Sequence, residues 1–280
     1  MNLSDIVKFL DQTPTPKQKE KTTADRFQDA LFGMIQRDHC TKTRPKVWTQ
    51  PDQKLYLRCS ELPKFVERPQ KIVALQRLSD LTVAPAKNEI GEQLNFDVGH
   101  AVHGWWQNEY LARLTDQFAL WGYWRCVCGL GGSAKGVIEK KPTLCRCGLG
   151  VGMTYEEVTV YDHRLRLTGH PDALLGETAP QFIGEIKTIG SDRWEKLRGP
   201  TLEHQVQVHA YMFATGLREA IYCYVDKGKQ SLWRRTPAGE FEIYGEPRIK
   251  VFHQKFDPVL GKRIEDTLTL FWAAVGKLAP

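Results

Sequence analysis

Asp172, Glu185 and Lys187 are the residues of this 280-residue chain whose types and spacing point most directly to chemistry. Asp172 closes an extended run from Leu165 to Gly169. Turn-forming residues fill Gly176 to Pro180, and a second apolar run carries Glu185 and Lys187. Residues two apart in a strand share a face, so Glu185 and Lys187 point together while Ile186 turns into the core. If the two runs pair as a hairpin, Asp172 comes beside Glu185. Two carboxylates converging with one ammonium suit phosphodiester cleavage. The carboxylates would hold Mg²⁺, a hard cation that takes oxygen ligands, and the lysine would orient or deprotonate the attacking water.

Two helical patterns flank this hairpin. Upstream, the stretch Asp97–Leu114 places Val98, Val102, Trp105 or Trp106, and Leu111 at helical spacing, and carries Gly99-x-x-x-His103. Downstream, Thr201–Thr215 reads as a helix that Gly216 ends. There Gln207-x-x-x-Tyr211 puts both side chains on one face, a turn apart. Gln205 offers an alternative register.

Gly-His-Pro-Asp followed by Glu-Ile-Lys thirteen residues on, with the His103 helix before and the Gln207–Tyr211 helix after, resembles the PD-(D/E)XK nuclease superfamily in its RecB-like and phage lambda-exonuclease-like branch. The resemblance runs from about His100 to Asp226. It implies an α/β (α+β) restriction-endonuclease-like core, a mixed central sheet flanked by helices. It also implies Mg²⁺- or Mn²⁺-dependent DNA cleavage, with Asp172, Glu185 and the Ile186 carbonyl as metal ligands and Lys187 acting on water. His103 would bind metal or DNA, and Gln207 and Tyr211 would lie beside the reactive phosphate. The branch implies an exonuclease working at DNA ends in recombination, repair or phage replication, with a recombination or replication protein as partner. A structure- or site-specific endonuclease is the enzymatic alternative. A non-catalytic nucleic-acid-binding module is another, and a zinc-stabilised scaffold a third. Helices of this kind often carry an acid one turn after the histidine; here Gln107 stands at that place.

Four of the seven cysteines form a second constellation. Cys126-Val-Cys128-Gly and Cys145-Arg-Cys147-Gly are near-identical knuckles around a Gly- and Lys-rich loop. Four thiolates in two pairs suit tetrahedral Zn²⁺, and the glycines let the backbone turn tightly around it. An iron–sulfur cluster is the rival. The spacing Cys-x-Cys departs from the Cys-x-x-Cys usual in zinc ribbons. An insertion of this size (122–150) has no core of its own, so metal must supply its folding energy.

The elements that must position these groups are read from periodicity. Residues 1–81 read as an N-terminal helical and basic region, and 82–280 as the nuclease domain with its insertion. Thr22 or Thr23 caps a helix with Phe27, Leu31, Met34 and Ile35 on one face; a second covers Gln70 to Leu81. Tyr56–Pro63 reads as a strand or turn, Met153–Asp162 as one strand with Arg164–Thr168 as its partner. Gly190–Pro200 is a loop or short helix, Ala220–Val225 a strand, and Lys229–Lys255 two or three strands with Trp233, Phe241, Ile243, Val251 and Phe252 available to the core. Asp257-Pro258 opens a last helix with Leu260, Ile264, Leu268, Phe271 and Val275 on one side.

Composition fits this picture: 41% hydrophobic and 26% charged residues are ordinary for a soluble globular protein. The net charge is +6, and between Thr41 and Lys71 eight basic residues face three acidic ones, which suits a polyanionic partner. An odd number of cysteines, no secretory pattern and no apolar run of membrane-spanning length point to a reducing cytoplasm.

Overall fold

The computed structural model describes residues 47–49, 55–75, 90–126, 128, 133, 136–142, 152–228, 232–235, 241–244 and 248–278. The helix expected after Thr22 and the second cysteine pair, Cys145 and Cys147, lie outside them. Two compact units divide the chain, 1–42 with 85–93 and 43–84 with 94–280. The second unit holds all of the described strands and the candidate site.

Short strands β1 (Val47–Thr49) and β2 (Leu55–Arg58) lead into helices α1 (Pro63–Glu67) and α2 (Gln70–Val73). Helix α3 (Ile90–Trp105) passes into a π-turn at Trp106–Tyr110. Strands β3 (Leu120–Cys126), β4 (Glu139–Lys140), β5 (Met153–Glu156), β6 (Val160–Asp162), β7 (Leu167–Gly169), β8 (Ala173–Leu175) and β9 (Phe182–Ile189) follow. Then come α4 (Ser191–Lys196), α5 (Leu202–Thr215) and β10 (Glu219–Asp226), β11 (Leu232–Arg235), β12 (Phe241–Tyr244) and β13 (Ile249–Lys255). The last helix is α6 (Pro258–Leu278).

The main sheet is mixed, in the order β13-β10-β9-β8-β3-β4, with β5 also paired to β3. Only β9 and β10 run parallel in it, joined through α4 and α5. A second sheet, β1-β2-β7-β6, packs on the other side of α5, and β11 and β12 form a separate hairpin. Lying between two sheets explains why α5 buries Val206, Val208, His209, Ala210, Tyr211 and Met212, residues on nearly every side of it. Leu57, Leu62, Phe65 and Val66 join the same core as Ile183, Tyr222 and the inward side of α6. Among the described residues, no helix is long and apolar enough to cross a membrane.

Several end signals act as the sequence suggests. Thr201 Oγ1 accepts from the His204 N–H (3.4 Å) at the start of α5, and Gly216 ends it with φ +78°. Asp257 caps α6 by accepting from the Val259 N–H at 2.8 Å, and Leu260, Ile264, Leu268, Phe271 and Val275 are all buried.

Other expectations change. Met153–Asp162 is two strands, β5 in the main sheet and β6 in the second, because the chain must cross between sheets at Glu157–Thr159. Tyr56–Pro63 is a strand that turns directly into α1. Helix α2 stops at Val73, and 76–81 lie outside the described residues. Val98 and Trp105 of α3 are 48% and 53% exposed rather than core. The inward side of that segment is polar, because it covers carboxylates. Val251 is 62% exposed, since β13 is an edge strand. The side chains of Trp233, Phe241 and Ile243 are not among those described.

Candidate active site

The expected hairpin forms. β8 and β9 pair antiparallel with Ala173 opposite Gly184, which brings Asp172 alongside Glu185. Gly184 serves this packing, since an added Cβ would lie 2.9 Å from that of Ala173. Asp172 is locked: its Oδ2 accepts from the Ile186 N–H at 2.6 Å, and its Oδ1 lies 3.3 Å from His103 Nδ1. Glu185 Oε1 pairs with Lys187 Nζ at 2.5 Å. Gln207 Oε1 accepts from the same ammonium at 3.2 Å, while Gln207 Nε2 donates to the Tyr211 hydroxyl at 2.9 Å. His103 with Asp172 makes one set of contacts and Glu185, Lys187, Gln207 and Tyr211 another. The Glu185–Ile186 backbone joins these residues, spread over more than a hundred positions, into one site.

Gln107 and Glu157 extend it. Gln107 is buried and its amide donates twice, to Glu157 Oε1 and to the Asp172 carbonyl, both at 2.8 Å. The π-turn contributes here: its wider winding turns Gln107 inward, two residues past the exposed Trp105. A carboxylate from the sheet crossing, Glu157, thus lies against the glutamine that stands one helical turn after His103. In the sequence Gln107 stands out only as a departure, and Glu157 barely stands out. Its one weak signal is a second acid, Glu156-Glu157, at the end of an alternating run.

The electrostatics follow from burial. Glu185 is pushed up to about 7 by burial and by the charge of Asp172, with Lys187 pulling the other way. Glu157 is raised by burial and by Asp172, against the Gln107 hydrogen bond. Burial pulls Lys187 down, but Glu185 and Asp172 outweigh it and hold it above the ordinary lysine value. His103 is likewise lowered by burial and raised more by its contact with Asp172. His204, pushed down to about 3 by burial and by Lys187, is a neutral imidazole 2.6 Å from the Tyr224 hydroxyl. The pocket thus carries more carboxylate than its cations offset. Glu185 Oε2 is buried and, among the described residues, finds no hydrogen-bond partner.

That orphaned acceptor beside Asp172 is the kind of donor set a hard divalent cation takes. Among the described residues no three Cys, His, Asp or Glu side chains are drawn together as a ready-made metal cage. A cation held by one or two carboxylates keeps positions for water and phosphate oxygens, as Mg²⁺ does.

Gly169 shows how tightly the site is built. An added Cβ would lie 2.6 Å from Tyr211 and 3.1 Å from the buried Cys59. Gly169→Ala is expected to push the Tyr211 ring off Gln207 and to cost about 1–3 kcal/mol as overpacking. Thermal unfolding checks this, and an unchanged Tm would show that the ring has room to move.

Of the cysteine constellation, Cys126 ends β3 and Cys128 follows, its N–H donating to Cys126 Sγ at 3.4 Å. The partners Cys145 and Cys147 are outside the described residues.

No protein-family model matches the chain, and no curated protein does. Among solved structures, 44% of the chain is similar to an alkaline exonuclease from Laribacter hongkongensis, at 22% identity and a TM-score of 0.32; the match spans 57% of that exonuclease. A phage-related exonuclease from Haemophilus somnus matches over 80% of this chain and 94% of its own, at 13% identity and a TM-score of 0.37. SSO0001 matches over 89% and 88%, at 12% identity and 0.36. Likenesses this slight carry no argument about the chemistry.

Proposed function

We propose that this chain is a divalent-metal-dependent nuclease with a restriction-endonuclease-like core, hydrolysing DNA in the manner of the PD-(D/E)XK superfamily that its motifs resemble. The observation that carries the reading is the convergence of Asp172, Glu185 and Lys187 around a buried, unpartnered carboxylate oxygen. Bound at Asp172, Glu185 and the Ile186 carbonyl, Mg²⁺ or Mn²⁺ would supply Lewis-acid stabilisation of charge on the phosphate and a more acidic water. Lys187, kept protonated by its neighbours, supplies a fixed positive charge where negative charge develops. Gln207, anchored by Tyr211, steadies that ammonium. His103 and Gln107 hold Asp172 from its carboxylate and its carbonyl respectively. Action at DNA ends is the finer reading. The test is incubation with end-labelled linear DNA and covalently closed circles, with Mg²⁺ or with EDTA. Mg²⁺-dependent loss of linear DNA with circles intact is expected; nicked circles would make it an endonuclease.

Metal uptake should be strongly pH-dependent. Glu185 is protonated more readily in the folded chain than in the unfolded one, so without metal its ionisation destabilises the fold as pH rises from the ordinary glutamate range to about 7. A cation reverses this by favouring the carboxylate. The rise in Tm caused by Mn²⁺ should therefore be larger at pH 8 than at pH 6, and absent in Glu185→Gln. Equal rises at both pH values would contradict the assignment.

For the knuckles, the same reading assigns one structural Zn²⁺ to Cys126, Cys128, Cys145 and Cys147. Purified protein is expected to hold about one zinc per chain. Iron with visible absorption would indicate a cluster instead.

A further inference from the structure

Three cavities adjoin beside the candidate site. The first, about 570 Å³, lies at the carboxyl ends of the parallel strands β9 and β10, lined by Thr188 to Arg193 and Lys227. The second, about 520 Å³, shares Thr188, Ile189 and Arg193 with it, and has Lys187 and Lys196 in its walls. The third, about 210 Å³, shares Glu67 and Glu203 with the second and is lined by Lys64, Arg68 and Lys71. The wall between the first two is fixed from below. Buried Asp226 accepts from Ser191 Oγ (2.9 Å), the Gly228 N–H (2.8 Å) and Arg248 Nε (2.7 Å), and the Lys227 N–H donates to the Ile189 carbonyl at 2.9 Å.

The lining is charged in one sense. Seven basic side chains border the three cavities against three carboxylates, Asp192, Glu67 and Glu203. Arg193, Lys196, Arg68 and Lys71 are exposed, and Lys64 also meets Glu61 at 2.8 Å. Open α/β sheets take ligands in the crevice outside the carboxyl ends of parallel strands, which is where the first cavity lies. The third draws its lysines and arginine from the basic stretch Thr41–Lys71.

We propose that the three cavities form one groove that carries a nucleic-acid backbone past Lys187, with Lys227, Arg193 and Lys196 holding phosphates on one stretch and Arg68 and Lys71 on the next. This rests on the nuclease reading for its central phosphate. The surrounding contacts are sequence-independent, since they come from charges on phosphate rather than from groups aimed at base edges.

The test is binding of a fluorescently labelled oligothymidylate in EDTA, followed by anisotropy over a range of salt concentrations. Arg193→Glu, Lys196→Glu and Arg68→Glu are each expected to weaken binding several-fold. Each should flatten the dependence of log K on log salt by about 0.7 for every phosphate left without its cation. Lys277→Glu, at the far end of α6, should change neither. Groove variants that bind like the wild type, or no worse than Lys277→Glu, would overturn the groove. If those variants bind normally while the wild type cleaves with Mg²⁺, the nuclease reading stands and the groove falls. If binding follows the groove but no divalent metal supports cleavage, the groove stands and the nuclease reading falls.

Discussion

Asp172→Asn, Glu185→Gln and Lys187→Met are each expected to lower the rate of Mg²⁺-dependent DNA cleavage by about 10³-fold or more. The size follows from what is removed, several kcal/mol of charge stabilisation at a water-poor site. Glu185 is 2% exposed, so no bulk water replaces the lost group. Near-isosteric replacements keep the shape of the buried Glu185–Lys187 pair, and the amide in Glu185→Gln still offers an oxygen to the ammonium. In Lys187→Met the Glu185 carboxyl, already pushed up to about 7, takes a proton rather than stay charged without its partner. Circular dichroism and thermal melting should show folded proteins. Affinity for DNA in EDTA should stay within a few-fold, since Arg68, Lys71, Arg193, Lys196 and Lys227 are untouched. Near-full activity in any one of the three would refute the site.

Glu157→Gln is expected to weaken divalent-metal binding by about tenfold or more and to lower the cleavage rate with it. Glu157 shares Gln107 with the Asp172 carbonyl, and burial, with the charge of Glu157 added, raises the ionisation point of Tyr155. Changes to such supporting groups cost about 10- to 100-fold in metal affinity or activity. Gln107→Leu should reproduce much of the effect without touching a carboxylate, by releasing both partners at once. Calorimetric titration with Mn²⁺ measures it. Unchanged affinity in Glu157→Gln would make that carboxylate a bystander.

Glu157 also shows what the sequence conceals. Asp172, Glu185 and Lys187 are legible because a strand's two-residue period and one hairpin register fix their meeting, and both are local. Gln207 and Tyr211 are legible because four residues on a helix make one turn. Glu157 reaches the site only because the chain leaves the main sheet after β5 and enters the second at β6. Nothing in its immediate neighbourhood encodes that crossing. The exposed Val98 and Trp105 mislead for a related reason. Helical spacing identifies a face but not what lies beneath it, and here the sheet offers carboxylates rather than apolar side chains. Edge position misleads in the same way for Val251, whose alternation is sound but whose strand has no neighbour on its outer side among the described residues.

Net charge points to basic surface but not to its shape. Lys64, Arg68 and Lys71 belong to the basic stretch seen in the sequence, whereas Arg193, Lys196 and Lys227 come from segments well over a hundred residues later. Their shared groove depends on how α4 is pinned to Asp226 across the parallel pair.

The central claim is that Asp172, Glu185 and Lys187 form a hydrolytic centre rather than a buried ion pair. It is tested most directly by following release of end-labelled nucleotides from linear DNA by the wild-type protein and Glu185→Gln, side by side, with Mg²⁺ and with EDTA. A hydrolytic centre predicts release by the wild type with Mg²⁺ only, and none by the variant. Release that persists in EDTA, or that the variant matches, would contradict it.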